Sequence, residues 1–275
     1  MGPKIVCTMP ILSTPYHDEV AESLGGEIIR VQCATEEEVI NACHDADAAM
    51  GAIEPFSKRV IDELDKCQII AQFSVGHDHV DVGAATERGI IVANVPDYCI
   101  DEVSEQALSF ILALNRKIFR LDKAARDGKW TRDAMGIVFP LSNIRGQTLG
   151  LVGFGRIARA LACKAHALGM NIITYDPYIP VDMVQEQEAE LVDLSQLLAN
   201  SDFISVHVPY TQENHHLFGL EQFKEMKSHA YFINTGRGGL VDEAALHTAL
   251  TEDYIQGAAI DVMEEEPPDS NNPLF

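Results

Sequence analysis

The sequence predicts an α/β protein of doubly wound parallel sheets divided into two units, and three observations point that way. Short β-branched runs alternate with polar stretches whose apolar residues recur at helical spacing, the rhythm of βαβ units. One such run leads through an array of glycines straight into a helical stretch. A chain of 275 residues also exceeds what one hydrophobic core usually fills, so two cores are expected.

In chain order, residues 4–8, 27–32, 48–53, 68–74 and 90–94 read as buried parallel strands. Residues 18–24, 36–42 and 57–64 read as the helices between them. Thr35 and Ser57 stand where a side-chain oxygen can accept an orphan amide of the first helical turn. Past Pro96, residues 101–126 read as one long amphipathic helix whose apolar face carries Val103, Leu108, Ile111, Leu112, Leu114 and Ile118. Strand-like runs resume at 148–152, 171–175, 203–206, 231–234 and 257–261, with neither an internal repeat nor a low-complexity linker. The expected units are 1–98 and 99–275.

Composition excludes some partners. With 42 acidic against 20 basic residues the formal charge is −22, which repels nucleic acid and an anionic membrane surface alike. The cysteines Cys7, Cys33, Cys43, Cys67, Cys99 and Cys163 form no C-x-x-C pair, so neither a zinc knuckle nor a redox dithiol is indicated and reduced thiols are expected. No apolar run reaches the ~18 residues of a membrane span, and a cytoplasmic protein is expected.

The run Thr148-Leu-Gly-Leu-Val-Gly-Phe-Gly-Arg-Ile-Ala158 places Gly153, Gly155 and Ala158 as G-x-G-x-x-A between a strand and a helix. The first glycine allows the tight turn, the second lets the backbone approach a pyrophosphate, and the small third residue permits close helix-to-strand packing. Arg156 and Ile157 then open the helix whose amides face the phosphates. The next strand-like run ends in Asp176, the carboxylate that a Rossmann-type domain sets on the adenosine ribose hydroxyls. A 2′-phosphate there would meet like charge, a repulsion of a few kcal/mol at an effective dielectric near 20. No Arg or Lys lies between Asp176 and Glu190 to offset it, so NAD is expected over NADP. Two alternatives stay open: a strand-to-helix turn with no ligand, and an Asp176 that only caps its own Asp-Pro turn.

Arg237 lies in Asn234-Thr-Gly-Arg-Gly-Gly, a cation flanked by glycines and open to a ligand. A planar guanidinium grips a carboxylate bidentately and polarises an adjacent carbonyl, which suits a 2-keto or 2-hydroxy acid; the alternative is a surface salt bridge. The segment 257–268 ends a strand with Asp261, Glu264, Glu265 and Glu266 before Pro267 and Pro268. Such clusters are usually solvated turns, but ligands of open parallel sheets bind at the carboxyl ends of strands. His77 and His79 lack a third ligand at helical spacing and read as a polar loop, with no metal expected.

Taken together, residues 76–81, 95–103, 150–158, Tyr175-Asp-Pro177, Ser205-Val-His-Val-Pro209, Met226-Lys227, 234–246 and 258–268 resemble the D-isomer-specific 2-hydroxyacid dehydrogenases, in the branch similar to C-terminal-binding proteins. The resemblance implies a flavodoxin-like substrate domain over 1–98, without its C-terminal completion, and an NAD-binding Rossmann domain over 99–275. It implies that Arg237 holds the substrate carboxylate, that the backbone at Val75 and Gly76 receives it too, and that Asp261 holds the nicotinamide carboxamide. It further implies that His207, Val208, Pro209 and Thr235 border the cofactor pocket. Glu266 would pair with a catalytic histidine in a Thr-Pro-His sequence, which is expected beyond Phe275. His207 has a second reading as a packed or capping histidine.

The activity implied is hydride transfer between NAD(H) and a small 2-keto or D-2-hydroxy acid, with a homodimer by analogy. The alternative is an NAD(H)-sensing interaction protein of corepressor type on the same fold. Ala52-Ile-Glu54 offers a carboxylate where phosphate-binding relatives would offer a cation, which argues against phosphoglycerate as substrate.

Overall fold

The computed structural model describes residues 2–130 and 132–275. The chain divides into two compact units, Met1–Tyr98 and Cys99–Phe275.

The first unit is a five-stranded sheet of β1 (Lys4–Cys7), β2 (Glu27–Arg30), β3 (Ala48–Gly51), β4 (Ile69–Gln72) and β5 (Ile91–Ala93) in the order β2-β1-β3-β4-β5, every pair parallel. This is the flavodoxin-like winding. Val6, Ala49, Ile70, Phe56 and Ile61 are fully buried at its core. Thr35 Oγ1 accepts from the Glu38 amide and Ser57 Oγ from the Val60 amide, so both cap their helices.

The second unit is a six-stranded sheet of β6 (Thr148–Val152), β7 (Asn171–Tyr175), β8 (Glu190–Leu191), β9 (Phe203–Val206), β10 (Tyr231–Asn234) and β11 (Gly257–Ile260), ordered β11-β10-β9-β6-β7-β8 and parallel throughout. Counted from β6 this is the 3-2-1-4-5-6 order of a Rossmann domain, whose direction of winding reverses between β6 and β9. Successive side chains of a strand point to opposite faces, and the two cores follow that alternation. Leu151, Phe203 and Ile233 enter one cluster with Ile111 and Leu161, while their neighbours Val152, Ile204 and Phe232 enter the other with Phe218 and Phe223.

Two expectations need correction. Residues 101–126 form two helices, Ile100–Asn115 and Ile118–Arg126, because Lys117 sits in the left-handed region at φ 54° and stops the first. The short strand Glu190–Leu191, too brief for any periodicity to register, was not expected. No helix among the described residues is long and apolar enough to cross a membrane.

Candidate active site

The site of the second unit is built where winding reverses. Val152 of β6 pairs with Val206 of β9, so the residues that follow, Gly153 and His207, leave the sheet side by side. Gly153 has φ 89°, and a Cβ there would lie 2.8 Å from Val208 Cγ1 and 2.9 Å from the His207 carbonyl oxygen. Both the conformation and the neighbour demand glycine. Ala158, three residues past Gly155, is fully buried against the sheet.

Gly155 is a different case. It precedes the helix Arg156–Ala167 with φ −68°, a value any residue adopts, and apart from its chain neighbours no heavy atom lies within 4 Å of where its Cβ would stand. Neither the chain's geometry nor its packing asks for glycine here, and the open space over that backbone is what a pyrophosphate approaching the amides of Arg156 and Ile157 needs. A second sign of a missing partner is Thr235 Oγ1, buried with no hydrogen bond among the described residues. An unsatisfied buried hydroxyl costs about 1–3 kcal/mol, which a bound ligand would relieve. These residues fit NAD.

Asp176 follows β7, and both its oxygens are engaged: Oδ2 accepts from the Phe154 amide at 2.9 Å and Oδ1 from the Tyr178 amide at 2.9 Å. It therefore caps its own turn and also ties that turn to the glycine loop. A carboxylate has about four lone-pair sites, so acceptor capacity for ribose hydroxyls remains.

His207 Nε2 lies 2.8 Å from Ser205 Oγ, and desolvation pushes the imidazole down to about 4 from its usual 6.5. The ring is neutral at pH 7. The unfolded chain binds a proton near pH 6.5 and the folded one only near 4, so stability falls as pH drops through that window, by on the order of 2 kcal/mol at pH 5. Thermal melts from pH 7 to 5 should show this loss in the wild type and a flatter profile in His207→Gln.

Arg237 leaves β10 in extended conformation on a loop fastened by Asn234, which is 1 % exposed. Asn234 Nδ2 donates to the Arg237 carbonyl at 2.8 Å and its Oδ1 accepts from the Gly236 amide at 3.0 Å. The guanidinium Nη1 donates to the Gly236 carbonyl at 2.8 Å. Asp261 is exposed at the end of β11, its amide on the Asn234 carbonyl at 2.9 Å. Glu266 is exposed as well, with Oε1 accepting from the Met263 amide at 2.9 Å. The two loops touch: a Cβ on Gly238 would lie 1.9 Å from the Met263 carbonyl oxygen.

Val75 and Gly76 belong to the first unit, in the loop after β4. Their carbonyls accept from Asn94 Nδ2 at 2.8 Å and Ser74 Oγ at 2.6 Å, while among the described residues neither amide donates a hydrogen bond. His77 and His79, in the same loop, are exposed. Glu54 does not present a carboxylate outward: it is 2 % exposed, and Oε2 accepts from the Ala52 and Ile53 amides at 2.9 and 3.3 Å. Glu54 therefore carries no weight against a phosphorylated substrate. The positioning roles of Asn234 and Ser205 were not foreseen. The signal for Asn234 was a lone amide ending the apolar strand Tyr-Phe-Ile just before Thr-Gly, where Asx turns form.

A glycine turn at the winding reversal of a Rossmann sheet, with an acid at the end of the next strand, defines the class of dinucleotide-binding α/β proteins. Residues 108–275 match the family described as D-isomer specific 2-hydroxyacid dehydrogenase, NAD binding domain. The chain is 40% identical over 269 residues to D-3-phosphoglycerate dehydrogenase of Methanocaldococcus jannaschii, covering 96% of this chain and 50% of that protein. It is 41% identical over 233 residues to glyoxylate reductase of Thermococcus litoralis, covering 83% of this chain and 70% of that one. The D-lactate dehydrogenase of Aquifex aeolicus, solved with NAD and lactic acid, superposes with a TM-score of 0.88 at 27% identity over 98% of this chain and 84% of its own. The chain thus spans 50% of the length of the Methanocaldococcus relative. It belongs to the D-isomer specific 2-hydroxyacid dehydrogenase family, and the match to that family's NAD binding domain falls within its second unit.

Proposed function

We propose that the protein transfers a hydride between NAD(H) and a small 2-keto or D-2-hydroxy acid. The observation that carries this is the Arg237 loop, a fastened cation in extended conformation at the end of β10, two strands from the glycine turn that fits the dinucleotide. Bound NADH supplies the hydride. Arg237 grips the substrate carboxylate and draws charge from the neighbouring carbonyl. A carboxylate-binding role for the Val75 and Gly76 backbone of the first unit is assigned from the family resemblance alone. Asp261 is assigned to the carboxamide of the nicotinamide. His207, Val208, Pro209 and Thr235 line its approach. Glu266 is assigned to hold the proton-relaying histidine that the family resemblance implies, favouring its charged form. Relatives named glyoxylate reductase, glycerate dehydrogenase and D-3-phosphoglycerate dehydrogenase support an acid of this size.

NADH oxidation followed with glyoxylate, pyruvate and hydroxypyruvate tests the reading. Turnover with one of them is expected, and tight NADH binding with no turnover on any would favour the corepressor-like alternative. Cofactor choice is a separate outcome. NADH should bind at least tenfold tighter than NADPH, about 1.4 kcal/mol. Asp176→Asn, which removes the charge and keeps one acceptor, should bring the two dissociation constants together. Equal affinities in the wild type would sink the role given to Asp176.

A further inference from the structure

We propose that His215, His216 and Glu264 bind a divalent cation of the zinc class, at a site in the second unit outside the residues assigned to cofactor and substrate. One donor atom from each of the three lies within 4.8 Å of the others. His216 Nε2 is 2.7 Å and His215 Nε2 3.9 Å from the same Glu264 Oε1. Tetrahedral zinc with nitrogen and oxygen ligands near 2.0–2.1 Å spaces its donors by ~3.3 Å, so small side-chain shifts would seat the ion. Two imidazoles and a carboxylate are a ligand set that zinc, cobalt and nickel accept, with a fourth position left for water.

The local backbone argues for more than an ion pair. Consecutive side chains of an extended segment point to opposite sides. Here the rings of His215 and His216 instead stack with centroids 3.8 Å apart, 25° from parallel. What turns them to one side is His216 itself, at φ 54°, a left-handed conformation that costs an L residue free energy. The His216 amide, donating to the Gly239 carbonyl at 2.9 Å, holds that turn in place. A single exposed imidazole and a carboxylate would suffice for an ordinary surface pair, and two stacked imidazolium rings would repel. Two rings turned to one side and facing the same carboxylate are the arrangement a cation requires.

One outer hydrogen bond orients a ligand ring and another anchors the backbone that carries the carboxylate. The Tyr210 hydroxyl lies 3.2 Å from His215 Nδ1, which fixes that ring with Nε2 toward Glu264. The Glu264 amide donates to Glu243 Oε1 at 2.7 Å. Partners of this type set the tautomer and geometry of metal-binding histidines. Because His216 is bonded to Gly239 and Gly238 packs on Met263 and Glu264, a cation here would tie together the Arg237 loop, the segment after β9 and the turn after β11.

Titrating Zn²⁺ into the chelator-treated protein by calorimetry and thermal melting is expected to give one saturable equivalent and a rise in Tm. His215→Ala and Glu264→Gln should each weaken that equivalent at least tenfold and remove the Tm rise, whereas Cys163→Ser, at an exposed thiol, should change neither. Circular dichroism verifies that the variants are folded. Pulsed electron resonance on the Cu²⁺-loaded wild type provides a reading free of mutation, and should report two imidazole nitrogens. No saturable equivalent in the wild type, an affinity unchanged in either ligand variant, or no imidazole coupling would overturn the site.

Discussion

Replacing Arg237 by alanine is expected to lower kcat/KM for keto-acid reduction by roughly two orders of magnitude, about 3 kcal/mol, with NADH affinity nearly unchanged. The loss should be largely specific because, although Nη1 donates to the Gly236 carbonyl, the loop is also held through backbone groups. Asn234 fastens it through the Arg237 carbonyl and the Gly236 amide, both backbone groups that alanine retains. Arg237→Lys should recover little: an ammonium is a point charge and cannot make the paired contacts of a guanidinium. Binding of oxamate, a keto-acid analogue, to the NADH-saturated protein gives a second reading of the same effect without turnover. Wild-type efficiency in Arg237→Ala would remove the substrate role of that residue.

The two glycines of the turn should fail in opposite ways. Gly153→Ala forces an L side chain to φ 89° and into contact with Val208 Cγ1 and the His207 carbonyl. A loss of about 2–3 kcal/mol of stability is expected, seen as a lower urea midpoint, with cofactor binding lost alongside it. Gly155→Val puts its Cβ where no atom beyond the chain neighbours lies within 4 Å, and it needs no unusual backbone. Its Tm should stay within a degree or two of the wild type while NADH affinity falls by roughly a hundredfold, since the side chain fills the space assigned to the pyrophosphate. If Gly155→Val binds NADH normally, the cradle is wrongly placed.

The second unit was the more legible one in the sequence. Runs 148–152, 171–175, 203–206 and 231–234 coincide with β6, β7, β9 and β10, because these strands are buried on both faces and hold continuous apolar residues bounded by Gly, Asp or Asn. In the first unit the strands fell a residue or more short of each expected run, where apolar residues continue into loops such as Ala52-Ile53 and Phe73. The helix break at Lys117 was not legible, since lysine carries no preference for the left-handed region and the apolar spacing runs on through Ile118. Residues of the glycine turn declared themselves through local spacing. The partners that hold them did not, because the hydrogen bonds of Asp176 to Phe154 and of Asn234 to Arg237 depend on how loops fold back after the strands end. The grouping of His215, His216 and Glu264 is less accessible still, joining positions 48 residues apart that only the adjacent ends of β9, β10 and β11 bring together.

The meeting of Gly238 with Met263 is backbone against backbone, with no side chain between to yield. A displacement of either loop by a fraction of an ångström must be passed to the other, because interiors this dense transmit movement instead of absorbing it. Cation and acid are in that sense mounted on one rigid bracket. If Arg237 and Glu266 have the roles proposed for them, a change of preferred acid cannot easily come from shifting Arg237 alone, since the same shift would misplace Glu266.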